Sequence, residues 1–521
     1  MAARLSEDVR SRVLLLEAGG SDRWPRIRVP IGYGKTFNDP RVNWRYQAEP
    51  DAGTLGRSMY WPRGKVLGGS SSINAMVYCR GVPADYDDWR DVGNPGWGWN
   101  DVEPVFRRFE RRVDADGRVE GDGPLWVCDR EPEYHVLKRH FYAAAQEIGY
   151  ALVDLNGAAP DGVGPYAINT RRSLRCSAAD AFLRPAMRRP NLTVRTHVTV
   201  ERITFDGRRA AGVLGRTGTR VSSFACRGEI VVCAGAVDSP KLLQMSGVGP
   251  GALLQGFGIG IVHANDAVGD GLQDHLGINY CYRATEPTLN GVLGSWTGLL
   301  AAGLRFLLRR SGPLSLSVNQ IGGLVRSSPA KARPDVQLYF NPLSYSTEIK
   351  GRRRLLRPDP FPGFAIGFSA CRPTSRGRIE LASPDPSAPA RIKPNYLATA
   401  QDVSDALAGA RLCGRLQETA AMRGLIAGAP KLDVFRANDD ALVADFRARS
   451  GSVYHPCGTC RMAPESEGGV VGPDLAVHGV AALRVVDASV FPNITSANTN
   501  APTILVAHKA ADAILAQARR A

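Results

Sequence analysis

Three short apolar runs lie far apart along the chain, and each leads into Gly, Ala or an acidic residue. They are Val13–Leu16, Ile230–Cys233 and Leu483–Val486; the first is followed by Glu17 and the last by Asp487. Brief, continuous apolar runs bounded by such residues are typical of buried strands in a parallel sheet. The pattern therefore predicts three parallel strands, two of which carry a carboxylate at their carboxyl end.

The wide spacing of these runs predicts a nucleotide-binding domain that is discontinuous in sequence. Between the second and third runs, residues 276–447 are rich in Pro and contain alternating patterns such as Gly377–Leu381. Alternation is typical of strands with one solvated face, so this stretch is predicted to be an inserted, mainly antiparallel domain. The predicted fold class is α/β, or α+β when the whole chain is considered.

Two helix starts and one long apolar window complete the pattern. Ser239–Pro240 resembles a cap followed by Pro at the first helical position, and a second helix is predicted to begin near Pro502. The apolar window Trp296–Leu308 is shorter than the roughly 18 residues of a membrane span and contains Arg305. No integral membrane segment is therefore predicted.

Composition excludes several classes of protein. Of 521 residues, 44% are hydrophobic and 22% are charged, which is typical of a globular protein large enough to enclose a cofactor. The net charge is +15, yet no five consecutive residues are basic and no zinc-finger spacing occurs. The charge is therefore assigned to solvated surface, and no nucleic-acid partner is predicted.

The ten cysteines are scattered, and Cys457 and Cys460 form the only CxxC pair. Structural zinc requires four ligands, so no metal site is predicted. Charged residues follow Met1 closely, without a secretory signal. Reduced thiols and a cytoplasmic location are therefore expected, with peripheral attachment to the inner membrane as a variant of that location.

Two Gly-rich strings are candidate binding elements. In the string from Gly64 to Asn74, two adjacent Gly residues precede three hydroxyl side chains and a helix-compatible run. Such a turn lets backbone N–H groups approach a phosphate, although an ordinary flexible loop has the same composition. The second string, from Gly235 to Gly249, is by itself better explained as a capped helix with a Gly stop than as a binding element.

Polar residues near the carboxyl end are candidates for chemistry. His455 is followed by Pro456 in a Gly-containing loop, where an imidazole is available for proton transfer; a hydrogen-bonded structural histidine is the alternative. Asn498 and Asn500 can donate hydrogen bonds to oxygens without carrying charge, or can cap the helix that follows. His275 stands beside an acidic residue, is explained as a polar cap, and is assigned no chemistry.

Together these strings resemble the glucose–methanol–choline (GMC) oxidoreductase family. The matching segments extend over essentially the whole chain: Leu16–Gly19, Gly64–Asn74 with Arg80–Gly81, Gly235–Gly249, His455–Met462 and Asp487–Thr503. Within the family, the sequence is most similar to the bacterial choline-dehydrogenase-like and other primary-alcohol-oxidising enzymes. The resemblance implies a Rossmann-like FAD-binding domain with a substrate domain over the flavin, and oxidation of an alcohol to an aldehyde with hydride transfer to FAD.

The resemblance also implies a division of the chain. The FAD-binding domain is expected to comprise residues 1–80, 191–275 and 448–521, the last part including the catalytic residues. Residues 81–190 are expected to cover the FAD and contribute to the substrate site. Residues 276–447 are expected to form the substrate-binding domain.

Roles for individual residues follow from the same resemblance. His455 is expected to be the catalytic base, and Asn498 to hydrogen-bond the developing alkoxide, since an alcohol becomes a good hydride donor only as its hydroxyl proton leaves. The expected cofactor contacts are Glu17 with the adenosine ribose, Gly68, Gly69 and Ser70 along the cofactor, Asn74 and Met76 near the flavin ring, Val198 with the adenine, Asp487 and Ala488 beside the ribityl chain or pyrophosphate, Asn500 at the pyrimidine edge, and Ala234, Gly235 and Thr503 also against the cofactor.

The expected partners are a small-molecule alcohol and an electron acceptor, either O₂ or a quinone or other acceptor; an oligomer is left open.

Three departures from the family pattern carry expectations of their own. Ile73 replaces a histidine that some members link covalently to the flavin, so non-covalent FAD is expected. Gly271 replaces a usual Asn, which bears on the local loop geometry. The first strand and its Gly-x-Gly-x-x-Gly turn have no counterpart before Glu17, so the first βα unit is expected to be missing and FAD to bind poorly.

Two alternatives to an alcohol oxidoreductase remain at this point. One is a truncated, non-catalytic or FAD-deficient homologue, because of the absent phosphate turn. The other is a lyase, because some members keep the flavin without using it for redox chemistry.

Overall fold

The computed structural model describes residues 1–350 and 353–520 and contains both helices and strands. The helices, in chain order, are α1 (Ala2–Leu5), α2 (Pro25–Arg28), α3 (Tyr33–Thr36), α4 (Pro83–Asp91), α5 (Trp99–Phe109), α6 (Lys138–Glu147), α7 (Arg184–Ala186), α8 (Gly235–Met245), α9 (Gly251–Gly256), α10 (Leu289–Leu293), α11 (Trp296–Arg309), α12 (Ala400–Glu418), α13 (Ala420–Leu425), α14 (Asp439–Arg449) and α15 (Asn500–Arg520). Within the described residues, none of these helices is both long enough and apolar enough to cross a bilayer.

The strands are mostly short. In chain order they are β1 (Val13–Leu16), β2 (Tyr46–Gln47), β3 (Tyr60–Trp61), β4 (Glu110–Val113), β5 (Val119–Glu120), β6 (Leu125–Cys128), β7 (Gly162–Pro165), β8 (Thr170–Arg171), β9 (Leu174–Arg175), β10 (Leu192–Arg195), β11 (Thr199–Asp206), β12 (Arg209–Thr217), β13 (Arg220–Ala225), β14 (Ile230–Val232), β15 (Val248–Gly249), β16 (His263–Ala264), β17 (Asp270–Leu272), β18 (Leu276–Arg283), β19 (Ile321–Val325), β20 (Val336–Asn341), β21 (Tyr345–Lys350), β22 (Arg353–Pro358), β23 (Gly363–Ala370), β24 (Gly377–Glu380), β25 (Arg391–Lys393), β26 (Gly451–Ser452) and β27 (Leu483–Val485).

Two pairs of parallel strands arise from the apolar runs. Strand β1 pairs with β10, with Val13 opposite Leu192, and β14 pairs with β27, with Ile230 opposite Leu483. The three predicted parallel strands are therefore confirmed. Residues of both pairs, among them Leu15, line the same large cavity.

A six-stranded antiparallel sheet forms the second part of the fold, in the order β26-β18-β23-β20-β19-β7. Its four central strands come from the stretch predicted to be antiparallel, and its two edge strands come from outside that stretch. Helix α12 packs against β23, where Gly409 permits a close approach: a Cβ at this position would lie 2.1 Å from the ring of Phe368. The predicted mixed fold is confirmed, while the five domain boundaries stay a prediction.

The Gly64–Asn74 string packs directly against the end of β1. A Cβ at Gly19 would lie 1.9 Å from the carbonyl oxygen of Lys65, so this approach requires glycine. The helix-compatible run of the string forms no α-helix, and the string contains only the 3-10 turn Gly69–Ser72. The backbone turns away at Met76, whose φ of 65° is incompatible with a right-handed helix.

The predicted start of the next helix is wrong, because α8 begins five residues earlier, at Gly235, and Pro240 lies inside it. Proline has no N–H to donate to the carbonyl oxygen of Ala236, four residues before it. The hydroxyl of Thr459 donates to this oxygen at 2.7 Å instead. A side chain from the His455 loop therefore completes α8.

Gly271 adopts a φ of 78°, in the left-handed region. Glycine and asparagine are the residues that enter this region most readily. A glycine in place of the family's usual asparagine therefore suits the conformation that the loop adopts.

The buried ion pair between Arg80 and Glu110 provides a test of the packing. Arg80 Nε donates to Glu110 Oε1 at 2.8 Å, and the hydroxyl of Tyr78 also donates to this carboxylate. Glu110→Ala leaves a buried guanidinium without its counter-charge, so we expect the free energy of unfolding to fall by about 3–5 kcal/mol. Glu103→Ala, which removes the partner of the largely exposed Arg107, should cost less than about 1 kcal/mol. Urea unfolding of the two variants measures both values, and equal losses would contradict the assignment.

Candidate active site

One cavity of about 3370 Å³ brings together every residue for which the sequence predicted a site role. These residues are His455 and Asn498 for catalysis, and Glu17, Gly68, Gly69, Ser70, Asn74, Met76, Val198, Ala234, Gly235, Asp487, Ala488, Asn500 and Thr503 for the cofactor. The cavity is larger than the roughly 300–1,000 Å³ of ordinary ligand pockets. Its size reflects its walls, which include both parallel strand pairs and the antiparallel sheet.

The position of His455 follows from the pairing of two strands. Strand β18 pairs with β26 through Leu276 and Ser452, and Gln273 bridges to Cys457 in the same antiparallel sense. The chain between these two pairings bulges, and His455 lies in the bulge. Residues 274 and 275 therefore face the loop that carries His455.

The imidazole of His275 holds the imidazole of His455. Their Nδ1 atoms lie 2.9 Å apart, and His275 Nε2 lies 2.9 Å from the carbonyl oxygen of Cys371. A carbonyl oxygen only accepts hydrogen bonds, so the proton of neutral His275 is on Nε2 and its Nδ1 carries a lone pair. It follows that His455 donates from Nδ1 and that its Nε2, beside the cavity, carries the lone pair.

Burial keeps both rings neutral. It lowers the pKa of His275 to about 4. It also lowers the pKa of His455 well below 6.5, with smaller contributions from the charges of His275 and Arg63. Nε2 of His455 is therefore an unprotonated base at neutral pH.

Asn498 lies against this base in a defined orientation. Its Nδ2 donates to His455 Nε2 at 3.0 Å, and its Oδ1 accepts from Gln337 Nε2 at 3.2 Å. Gln337 is oriented in turn, because its Oε1 accepts from the hydroxyl of Tyr339 at 2.8 Å. This network of hydrogen bonds directs an amide N–H of Asn498 at the lone pair on Nε2 of His455.

Asp274 fixes the backbone of the same loop. Its carboxylate accepts from the N–H of His455 at 2.7 Å and from the hydroxyls of Tyr396, at 2.6 Å, and Ser452. Burial raises the pKa of Asp274 to about 6, although these hydrogen bonds oppose the shift. Adjacent residues 274 and 275 thus hold His455 by its main chain and by its ring.

Another part of the cavity wall has the features that the adenosine half of FAD requires. Glu17 directly follows β1, and its main-chain oxygen accepts from Val198 N at 2.9 Å, which places the two predicted contacts side by side. Burial raises the pKa of Glu17 to about 7, and one of its side-chain oxygens accepts from Gly19 N at 2.7 Å. Its other oxygen makes the group a candidate acceptor for a ribose hydroxyl.

Glycines and helix starts also line the cavity. A Cβ at Gly69 or at Gly235 would meet no protein atom within 4 Å, so both backbones border open space. Gly235 begins α8, and Asn500 begins α15. A helix N-terminus attracts electronegative atoms, so the start of α15 suits the pyrimidine edge of the flavin, the contact predicted for Asn500.

Asp487 is already engaged by the protein. Its Oδ2 accepts from Gly235 N at 2.8 Å and from the hydroxyl of Ser239. A carboxylate repels phosphate and accepts from hydroxyl groups, so of its two predicted positions Asp487 suits the ribityl chain. The residues present therefore fit FAD.

Other predictions concern residues near the cavity. Ile73 is buried and has no nucleophilic atom, and non-covalent binding of FAD stays a prediction. Cys457 and Cys460 are buried free thiols. In the part of the chain that the structure describes, no three His, Cys, Asp or Glu side chains are grouped as metal ligands would be.

Sequence reasoning missed His275, Gln337 and Tyr396. The signal for His275 was present, since it follows Asp274 directly, but a polar cap is the commoner explanation of such a pair. Gln337 and Tyr396 lie in strand-like and loop segments whose patterns carry no sign of a site.

Comparisons with known proteins agree with this geometry. Two GMC oxidoreductase family models match residues 46–277 and 373–507. The chain is 38% identical to the alcohol dehydrogenase [acceptor] of Pseudomonas putida, covering 99% of this chain and 93% of that protein. It is also 38% identical to the oxygen-dependent choline dehydrogenase of Photobacterium profundum, covering 99% and 90%.

A solved structure is similar throughout. Pyridoxine 4-oxidase from Mesorbium loti superimposes with a TM-score of 0.87 at 30% sequence identity, covering 98% of this chain and 96% of that one. The family matches extend over more than half of the chain and contain every predicted site residue except Glu17. The chain therefore belongs to the GMC oxidoreductase family and is an FAD-dependent alcohol oxidoreductase.

Proposed function

We propose that this protein oxidises a primary alcohol to an aldehyde, with His455 as the base. The observation that carries the proposal is the tautomer of His455, whose Nδ1–H is directed to His275 and whose Nε2 lone pair lies at the cavity. When bound, FAD supplies the hydride acceptor, which no side chain can provide.

The protein's own residues would accept the hydroxyl proton and stabilise the oxygen that it leaves. The substrate hydroxyl would donate to His455 Nε2, and Asn498 Nδ2–H, which lies 3.0 Å from that nitrogen, would turn to the substrate oxygen. As the proton transfers to Nε2, His455 becomes an imidazolium that still donates from Nδ1 to neutral His275. The amide of Asn498 stabilises the developing negative oxygen without adding a charge.

Most carboxylates among the described residues that line the cavity already have a partner or a predicted cofactor role. Five carboxylates line the cavity, and two of them, Glu17 and Asp487, have the cofactor positions described above. Of the others, Glu201 pairs with Arg216, Glu229 pairs with Arg484, and Asp238 accepts from the hydroxyl of Tyr46. Glu201 and Glu229 are therefore paired with arginines, whereas the donor to Asp238 is an uncharged hydroxyl.

Substitution of the base tests the proposal directly. We expect His455→Ala to slow anaerobic reduction of the bound flavin by on the order of 10²–10⁴-fold, with FAD content close to that of the parent protein. Stopped-flow absorbance during mixing with a primary alcohol measures the rate. His140→Ala, at a site outside the cavity, is the matched control. A near-parental rate in His455→Ala would overturn the assignment.

His275 is expected to act as a positioning residue through the tautomer of His455. In His275→Ala, His455 loses the acceptor for Nδ1–H and can place its proton on Nε2, so flavin reduction should slow about 10- to 100-fold. His275→Gln supplies an amide oxygen and an amide N–H at a similar position and should restore part of the rate. Reduction rates of both variants at equal flavin content provide the measurement. A loss of flavin with no change in rate per flavin would indicate a structural role alone.

The pH dependence should reflect the buried imidazole. The active form of His455 is neutral and its pKa is lowered, so kcat/KM should fall only as the pH drops below 6.5, the ordinary value for a histidine. Asp274, with a pKa of about 6, faces the same loop and could contribute a second limb. A kcat/KM profile of the parent protein beside that of Asp274→Asn separates the two groups. An acid limb centred above pH 6.5 in both would contradict the proposal.

A further inference from the structure

Helix α11 presents a row of apolar side chains to solvent. Trp296, Leu300, Leu304 and Leu308 follow one another at four-residue spacing and are 77%, 65%, 56% and 74% exposed. Residues four apart share one helix face, so these four form a continuous stripe. The opposite face is buried, through Ala302 and Phe306. Exposed apolar stripes of this kind mark interaction surfaces in globular proteins.

Basic side chains flank the stripe. Arg305 and Arg309 form the adjacent row of the helix, and Arg310 follows its last turn; all three are exposed. Between residues 287 and 334 the sequence contains no Asp or Glu. Within the described residues, no carboxylate forms an ion pair with any of these three arginines, whereas Arg326 pairs with Asp161. The positive charge beside the stripe is therefore available to a partner.

The helix also borders the cavity. Leu299 on α11 and Leu293 and Leu314 beside it line the same space as His455. The Pro313–Ser315 turn, against which α11 packs, contacts the Pro30–Gly32 turn, which is also part of the cavity wall. The exposed stripe therefore lies at one mouth of the site cavity.

We propose that α11 is an interfacial anchor that binds an anionic lipid surface and places this mouth of the cavity against it. An apolar stripe beside a row of arginines matches acyl chains beneath anionic headgroups. A second copy of this chain matches less well, since facing helices would bring together arginine rows on molecules of net charge +15. The anchoring does not depend on the chemistry of His455; the proposed function adds only that apolar alcohols dissolved in the lipid would lie beside the cavity.

Flotation of the FAD-loaded protein with lipid vesicles tests the anchor. One set of vesicles contains phosphatidylcholine with phosphatidylglycerol, and the other contains phosphatidylcholine alone. We expect binding to the anionic vesicles that weakens with added salt. Leu304→Gln/Leu308→Gln should weaken it at least about tenfold, because each leucine loses its apolar burial. Arg305→Gln/Arg309→Gln should weaken it by a similar factor on anionic vesicles only.

The control substitutes two equally exposed valines elsewhere, as Val119→Gln/Val136→Gln, and should bind like the parent protein. Oxidation of a water-soluble alcohol without vesicles should be the same in all variants, which shows that the fold is intact. Absence of vesicle binding, or equal binding in parent and leucine variant, overturns the proposal. A dimer in light scattering that the leucine variant converts to a monomer, without vesicle binding, would assign the stripe to a second copy instead.

Discussion

A hydrogen bond between two imidazoles requires one ring to give a proton and the other to supply a lone pair, and the proposed chemistry depends on how this choice is made. Here the main-chain oxygen of Cys371 determines which ring donates. This oxygen can only accept a hydrogen bond, so Nε2 of His275 must carry the proton. The consequence passes through His275 Nδ1 to His455 Nδ1 and leaves His455 Nε2 unprotonated. A main-chain carbonyl directly after strand β23 therefore determines the protonation of a side chain at the cavity wall.

The buried carboxyl group of Asp274, which fixes the loop of His455, has a cost in stability. Asp274 has a pKa raised to about 6 by burial, so its protonated form favours the native state. Its contribution to stability is present at acid pH and is lost as the pH rises through that value. The hydrogen bonds from Tyr396, Ser452 and the N–H of His455 partly offset this cost. Buried ionisable groups are expensive for a fold, and their concentration around His455 is consistent with a functional site.

The sequence predicted features that are local and missed those that form across long separations. Runs such as Val13–Leu16 were identified because a buried strand has a local apolar pattern. The pairing of His275 with His455 joins residues 180 positions apart and could not be read from either neighbourhood. The start of α8 was misplaced because Pro240 is a typical first-turn residue, and only the hydroxyl of Thr459 permits it inside the helix. The window Trp296–Leu308 was set aside as too short to span a membrane, and its exposure on one face is visible only in the folded molecule.

The contact between Thr459 and the carbonyl oxygen of Ala236 joins residues 223 positions apart, and it makes two parts of the sequence interdependent. With Pro240 present, loss of the Thr459 hydroxyl leaves a buried acceptor without a donor, at about 1–3 kcal/mol. With alanine at position 240, the helix could supply the N–H itself, and the hydroxyl would be largely redundant. The tolerance of the loop at position 459 is therefore set by a residue in a distant helix. This is a form of epistasis, in which the order of two substitutions decides whether the intermediate protein is stable.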